Sequence, residues 1–165
     1  MNKISNLKYT LVTGGLGFIG LNYIKKKNIF DNIINVDSKN YAANDISFNS
    51  KSKYKYIFAK NNIGNKEKIS QIFKKYKINN IINFAAETHV DNSIFNPERI
   101  INNNINNFTK FITQFKKFYF ENAFSKNLKF INISTDEVYG SLKLKEKSFK
   151  ERSVYNPRNP YSASK

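Results

Sequence analysis

Gly14, Gly17 and Gly20 stand three residues apart, between a short β-branched run at residues 9–13 and a helical pattern over 19–27. A strand that turns at once into a helix leaves the first helical N–H groups unpaired and facing the turn, where an anion can sit. Such a turn needs a backbone that tolerates φ > 0 and carries no Cβ where a phosphate approaches. The last glycine lets helix and strand pack closely. Glycine serves any tight turn, but in this position the spacing points to a dinucleotide, contacted by Gly14, Gly17, Phe18, Ile19 and Gly20. Asp37 ends the next apolar run about twenty residues on, where a carboxylate accepts hydrogen bonds from ribose hydroxyls. A 2′-phosphate would face that negative charge, so NAD is expected in preference to NADP.

The rest of the chain repeats the alternation. Apolar runs at 33–36, 56–59, 81–85 and 128–134 read as strands, and the first of them stops at Asp37. A polar loop over 38–53 separates the second strand from the third. Residues 66–76 place Ile69, Ile72, Phe73 and Tyr76 on one helical face. Pro97 opens a second long helix to about 120, striped by Phe108, Phe111, Ile112, Phe115, Phe118 and Tyr119. Strands alternating with helices of this length predict an α/β fold. Right-handed crossovers make a Rossmann-like, doubly wound parallel sheet the economical topology. At 165 residues the chain reads as one domain over 1–165.

Composition narrows the function classes. With no Cys there is neither a disulfide framework nor a thiolate metal site. The single histidine, His89, has no second His or Cys beside it, so no metal is expected. Residues 1–8 lack a signal-type apolar stretch, and no window approaches about 18 apolar residues, so no membrane is expected and a cytoplasmic location is. A net charge of +16 ordinarily raises nucleic acid as a partner. Here the lysines run along the whole chain with abundant Asn and Ile, as a global bias without a patch, and no nucleic acid is expected.

After the last strand comes Ile133-Ser134-Thr135-Asp136-Glu137-Val138-Tyr139-Gly140. Two adjacent carboxylates beside a hydroxyl, at a strand's C-terminal end, suit divided acid and base work. An Asp-Glu turn after a strand is the plainer reading of the same residues. Downstream, Tyr161 and Lys165 are four residues apart, one helical turn on the same face. A phenol titrates near pH 10 and needs a nearby cation to act as a base at neutral pH.

Four segments carry a resemblance: 12–20 with the glycine turn, Ala85-Ala86-Glu87-Thr88-His89-Val90-Asp91, 134–140, and Pro160-Tyr161-Ser162-Ala163-Ser164-Lys165. In that order they resemble the extended short-chain dehydrogenase/reductase superfamily, and within it the nucleotide-sugar 4,6-dehydratases. The resemblance implies an NAD-assisted dehydration of a nucleotide sugar, dTDP-glucose, giving a 4-keto-6-deoxy sugar, with a UDP-glucose 4,6-dehydratase or another nucleotide-sugar dehydratase or epimerase as the alternative. It implies Thr135, Asp136, Glu137, Tyr161 and Lys165 as the catalytic set. It adds Asn62, Ile63, Ala85, Ala86, Tyr161 and Lys165 to the cofactor contacts, with Tyr41 and Ala42 beside the adenosine. Glu87, His89 and Thr135 fall toward the substrate, and a homodimer is implied for the full-length enzyme. A reading of another class is a non-catalytic NAD-binding fragment.

The departures from that family are few. Asn62 stands where an Asp is usual, Asn92 where an Arg is usual, and Asn107-Phe108 where Gly-Thr is usual. Relatives continue for about as many residues again, with the last sheet strands and a substrate domain. This chain alone is therefore expected to lack dehydratase activity.

Overall fold

The structure, a computed structural model, describes residues 7–28, 30–44, 52–121 and 128–165. Part of the expected 38–53 loop, residues 45–51, lies outside the described residues. The chain divides into two packing units, Met1–Ala85 with Asn107–Asn132, and Ala86–Asn106 with Ile133–Lys165.

The first unit is the sheet and its helices. Strands β1 (Lys8–Thr13), β2 (Asn32–Asp37), β3 (Tyr56–Lys60), β4 (Lys77–Asn83) and β5 (Lys129–Asn132) form one sheet in the order β3-β2-β1-β4-β5. Every neighbouring pair is parallel, which is the doubly wound arrangement expected. The chain starts in the middle, winds out to β3, then crosses back to place β4 against β1. The strand order reverses between β1 and β4, and at such a switch the C-terminal strand ends open a crevice. β2 is buried along its whole length and β1 from its second residue, as strands covered on both faces must be.

Helix α1 (Phe18–Lys27) follows the glycine turn, and α2 (Lys66–Lys75) is capped by the Asn65 side chain, which accepts from the Lys68 N–H. Helix α5 (Phe108–Glu121) packs against α2. Phe73 stacks on Phe118 at 4.7 Å between ring centres, and Phe111 is fully buried among Leu11, Ile34, Ile81 and Phe73. Removing a buried ring of that size costs about 3–5 kcal/mol, so Phe111 anchors this face of the sheet. Gly64 and Asn107 fit each other by size: a Cβ on Gly64 would lie 2.2 Å from the Asn107 amide oxygen. The bulk that Asn107 adds to the helix is thus accommodated by the bare backbone of Gly64.

Both ends of β4 differ from the sequence pattern for local reasons, and the run expected over 128–134 is a strand only at Lys129–Asn132. β4 begins at Lys77, ahead of its apolar run, because Asn79 and Asn80 interrupt the hydrophobic signal while keeping strand geometry. The β1–β4 register shifts between Tyr9 and Thr10, and Asn80 donates to the Thr10 hydroxyl at 3.4 Å. β4 also ends at Asn83, so Phe84 and Ala85 lie beyond the strand.

The second unit is built from short elements: α3 (Val90–Phe95), α4 (Pro97–Ile100), a 3-10 turn (Asp136–Tyr139) and α6 (Pro160–Ala163). The helix expected over 97–120 is not uniform. A π-helical segment, Ile101–Asn107, separates α4 from α5. A π turn carries more residues than an α turn and shifts which side chains face inward. Asn104, in that segment, is buried.

Candidate active site

The glycine turn, in the first unit, is determined by what its backbone excludes. Gly14 has φ +69°, and a Cβ there would lie 2.5 Å from the Ala85 nitrogen. A Cβ on Gly20 would lie 2.5 Å from the Gly14 carbonyl oxygen, which is the close helix–strand approach. Gly17 is different: a Cβ would meet only the Gly14 oxygen, at 3.4 Å. Its missing side chain therefore leaves open space at the N-cap of α1, where no side chain caps the helix and no acidic residue stands in the first turn. A free helix N-terminus beside an unfilled cradle fits a pyrophosphate. Phe18 and Ile19, first in the helix, are exposed.

Asp37 is buried and already engaged. One carboxylate oxygen accepts the Leu16 N–H at 2.9 Å and the other the Lys39 N–H at 2.8 Å. It ties β2 to the glycine turn, and each oxygen keeps a further lone pair for a ribose hydroxyl. Asn35 and Gly15, given no site role in the sequence reading, brace the same turn through a 3.1 Å bond from the Gly15 N–H to the Asn35 side-chain amide oxygen. Asn62 is exposed and its amide oxygen accepts the Gly64 N–H at 2.7 Å, while the Ile63 side chain is buried in the core with Phe111. Only the Ile63 backbone is thus left to face a ligand. Tyr41 and Ala42 are exposed, and Ala85 packs against the same core as Ile63.

The carboxylates, Tyr161 and Lys165 belong to the second unit. Thr135 caps the 3-10 turn, its hydroxyl accepting the Glu137 N–H at 3.3 Å. Asp136 is exposed and Glu137 half-buried, so adjacent carboxyls stand in different surroundings. Gly140 ends the turn at φ +97°, and a Cβ there would approach the Asn156 carbonyl oxygen to 2.7 Å. Asn156 N–H bonds Val138 O at 2.9 Å, and Tyr139 stacks on Tyr155, which folds the intervening loop back onto the turn.

Helix α6 carries Tyr161, buried, and is started by Asn159 in a reciprocal capping box with Ser162. Lys165 lies just past the end of α6, and its ammonium donates to the Ile133 carbonyl at 2.7 Å. Burial pushes the Lys165 pKa below its ordinary value. The helix packs on the 3-10 turn, so Tyr161 and the two carboxylates stand on touching elements, with Thr135 and Lys165 just outside them. Asn159 also donates to the Glu137 carboxylate at 3.2 Å.

Glu87 is buried and pairs with Arg99 at 2.9 Å. Asn104 accepts the Glu87 N–H at 2.8 Å and donates to the Glu87 carbonyl at 2.9 Å and the Ser164 hydroxyl at 2.8 Å. Glu87 therefore holds its segment in place, and exposed His89, the N-cap of α3, stands two residues on. Ala86 between them is half-buried. Arg99, Asn104 and Asn159 escaped the sequence reading. The Asn-rich composition masked the two asparagines, and only the position of Asn159 one residue ahead of Pro160 signalled a helix cap. Among the described residues no three His, Asp or Glu side chains gather as metal ligands, and no helix is long and apolar enough to cross a membrane.

Known proteins are similar to this chain. The chain is 39% identical over 160 residues to the dTDP-glucose 4,6-dehydratase of Haemophilus influenzae, covering 94% of this chain and 47% of that protein. It is 39% identical over 168 residues to the dTDP-D-glucose 4,6-dehydratase of Dictyostelium discoideum, covering 94% and 37%. The chain spans about half the length or less of these relatives. Among solved structures, the dTDP-glucose 4,6-dehydratase of Bacillus anthracis, in complex with NAD, superposes with a TM-score of 0.75 at 32% identity, over 95% of this chain and 46% of that one. The family model described as GDP-mannose 4,6 dehydratase matches residues 11–165, from β1 through both carboxylates to Lys165. The chain belongs to the GDP-mannose 4,6 dehydratase family.

Proposed function

We propose that this chain is the NAD-binding and catalytic part of a dTDP-glucose 4,6-dehydratase. The observation that carries this reading is the packing of α6 on the 3-10 turn, with the Lys165 ammonium on Ile133. That packing supports the reading because α6 carries the phenol of Tyr161 and the turn carries two carboxyls, groups that the dehydration needs and a binding module does not.

Gly14, Gly17 and Gly20, with the N–H groups of Phe18 and Ile19, would hold the pyrophosphate, and Asp37 a ribose. Bound there, NAD supplies the reversible two-electron oxidation that turns the C4 alcohol into a ketone and later reduces C6. Tyr161 takes the C4 hydroxyl proton, with Lys165 as the cation of the set. Thr135 hydrogen-bonds the C4 oxygen. The C4 ketone makes the C5 proton acidic, and Glu137 removes it as general base. Asp136 protonates the C6 hydroxyl, which leaves as water. Glu137 then returns its proton to C5. Adjacent carboxyls can divide acid and base roles when their surroundings differ, as exposed Asp136 and half-buried Glu137 do. His89 borders the sugar, with Glu87 as support for its segment. The homodimer and the cytoplasmic location belong to the same proposal.

The test is an assay of the full-length protein with NAD and either dTDP-glucose or UDP-glucose, following the 4-keto-6-deoxy product. Turnover with dTDP-glucose is expected, and its absence with both substrates sinks the reading. Titration with NAD(H) and NADP(H) tests Asp37. Tighter binding of NAD(H) is expected, with Asp37→Ala weakening it and narrowing the preference.

A further inference from the structure

We propose that Asn159 is a positioning residue whose side-chain amide fastens the Glu137 carboxylate to the first turn of the helix that carries Tyr161. The two ends of that amide are used separately. Its oxygen accepts the Ser162 N–H at 2.7 Å, starting α6. Its nitrogen donates to a Glu137 carboxylate oxygen at 3.2 Å, across 22 residues of chain. The amide has one orientation. Turned over, its oxygen would face the carboxylate and its NH₂ would face an N–H donor, and both contacts would repel.

The arrangement matters because a general base works only when it is aimed. The Glu137 backbone is held by the Thr135 hydroxyl on its N–H and by the Gly140 N–H on its carbonyl, at 3.0 Å. Neither bond orients the side chain, which has three rotatable bonds of its own. The Asn159 NH₂ engages one carboxylate oxygen and leaves the other for the proton on C5. A neutral donor does this without the strong charge pairing that a cation would impose on a base. The same residue caps the helix of Tyr161, so the base for elimination and the phenol for oxidation share one brace. Ser162 closes the brace from the other side, its hydroxyl accepting the Arg158 and Asn159 N–H groups at 3.2 and 3.3 Å.

The inference rests on the dehydratase reading, and the experiment separates the two. Asn, Asp and Ser are comparable helix N-caps, so Asn159→Asp and Asn159→Ser keep the start of α6 while changing what faces Glu137. Asp replaces the donor with a second carboxylate. Ser keeps a cap too short to reach Glu137. Each variant of the full-length protein is mixed with NAD and dTDP-glucose in a single turnover, recording NADH formation for C4 oxidation and 4-keto-6-deoxy product for the later steps. Melting temperature and NAD affinity are measured alongside. The expected result is unchanged NADH formation, unchanged melting and NAD binding, and slower elimination. The loss should be about 10-fold for Ser and about 100-fold for Asp, the scale of a misaimed reacting group. KM for the sugar nucleotide should hold while kcat falls.

Equal loss of both steps would show that Asn159 acts only on the fold, and would overturn the proposal. Elimination at the wild-type rate in the Ser variant would overturn it too, and stands as the test if the Asp variant does not fold. Wild-type turnover with indifferent variants leaves the dehydratase reading standing and removes Asn159 alone. A wild-type protein without turnover removes both.

Discussion

The glycine turn and the carboxylate turn achieve precision by opposite means. In the first unit the site is made by backbone and by what is missing from it. Gly14 and Gly20 have no room for a Cβ, and Gly17 leaves a space unfilled. A five-stranded parallel sheet and a core that includes Phe111 support that backbone. In the second unit the helices α3, α4 and α6 have four to six residues each. Elements that short are not stable alone, because helix nucleation fixes several residues for one hydrogen bond. Side chains hold them instead: Asn104 on Glu87 and Ser164, Arg99 on Glu87, Asn159 on Ser162 and Glu137. A backbone-made site fails sterically when a methyl is added. A side-chain-made site fails chemically when a donor or acceptor is changed.

The largest effect tests the chemical half. Glu137→Gln and Asp136→Asn should keep most C4 oxidation while slowing elimination by about 10²–10⁴-fold, the usual contribution of a general acid or base. Single-turnover NADH formation measured against product release reads the difference. Equal loss of both steps would show that these carboxylates do not divide the reaction as proposed.

The steric half is sharpened by two neighbouring glycines. Gly14→Ala forces a side chain into φ +69° and against the Ala85 backbone, so a loss of about 2–4 kcal/mol in denaturant unfolding is expected. Gly17→Ala meets only ordinary contact and should leave stability within about 0.5 kcal/mol. It should nonetheless weaken NAD binding, because its methyl enters the cradle. Strong destabilisation by both variants would erase the distinction between a glycine needed for folding and one needed for the ligand.

A smaller effect is expected at Gly64→Ala, whose Cβ would overlap the Asn107 side chain. Overpacking of this kind costs about 1–3 kcal/mol. Combining it with Asn107→Ala should recover part of the loss, since the amide is removed and the Cβ at 3.0 Å remains, a non-additivity that a double-mutant cycle reads directly. Additive losses would mean that the two residues do not share that space.

The smallest effect concerns Lys165 and pH. Its pKa is lowered by burial from the ordinary 10.5, so the folded protein releases this proton at a lower pH than the unfolded chain. Between the two values the unfolded state binds more protons, and stability rises with pH across that window. Below the lowered pKa the buried charge is a constant cost. Lys165→Met should remove this contribution to the alkaline slope, measured by denaturant unfolding at a series of pH values. An unchanged slope would show that Lys165 is not the group responsible.

Much of the first unit was legible in the sequence because its signals are local. A β-branched run, three spaced glycines and an amphipathic stripe each declare an element within about a dozen residues. Phe108, Phe111 and Phe118 predict the packed face of α5 by spacing alone, and Asp37 announces itself by ending a strand. The same local reading smoothed the π segment into a uniform helix, since Ile101–Asn107 is mostly Asn and has too few apolar residues to show the shift in hydrophobic period. It also missed α3, too short to show a stripe.

What the sequence by itself determined was the order of strands and helices, the glycine turn, and the residue types available for acid, base and cation work. Those follow from sterics and periodicity within a few neighbours. Only the tertiary structure decided what each polar group faces: that Glu87 is paired with Arg99, that Ile63 is spent in the core, that Asn104 spans Glu87 and Ser164, and that Asn159 meets Glu137. In a chain so rich in asparagine no single Asn stands out by composition. An amide becomes a cap or a brace only when folding brings a particular donor and acceptor within about 3 Å, and that pairing is set by packing across tens of residues.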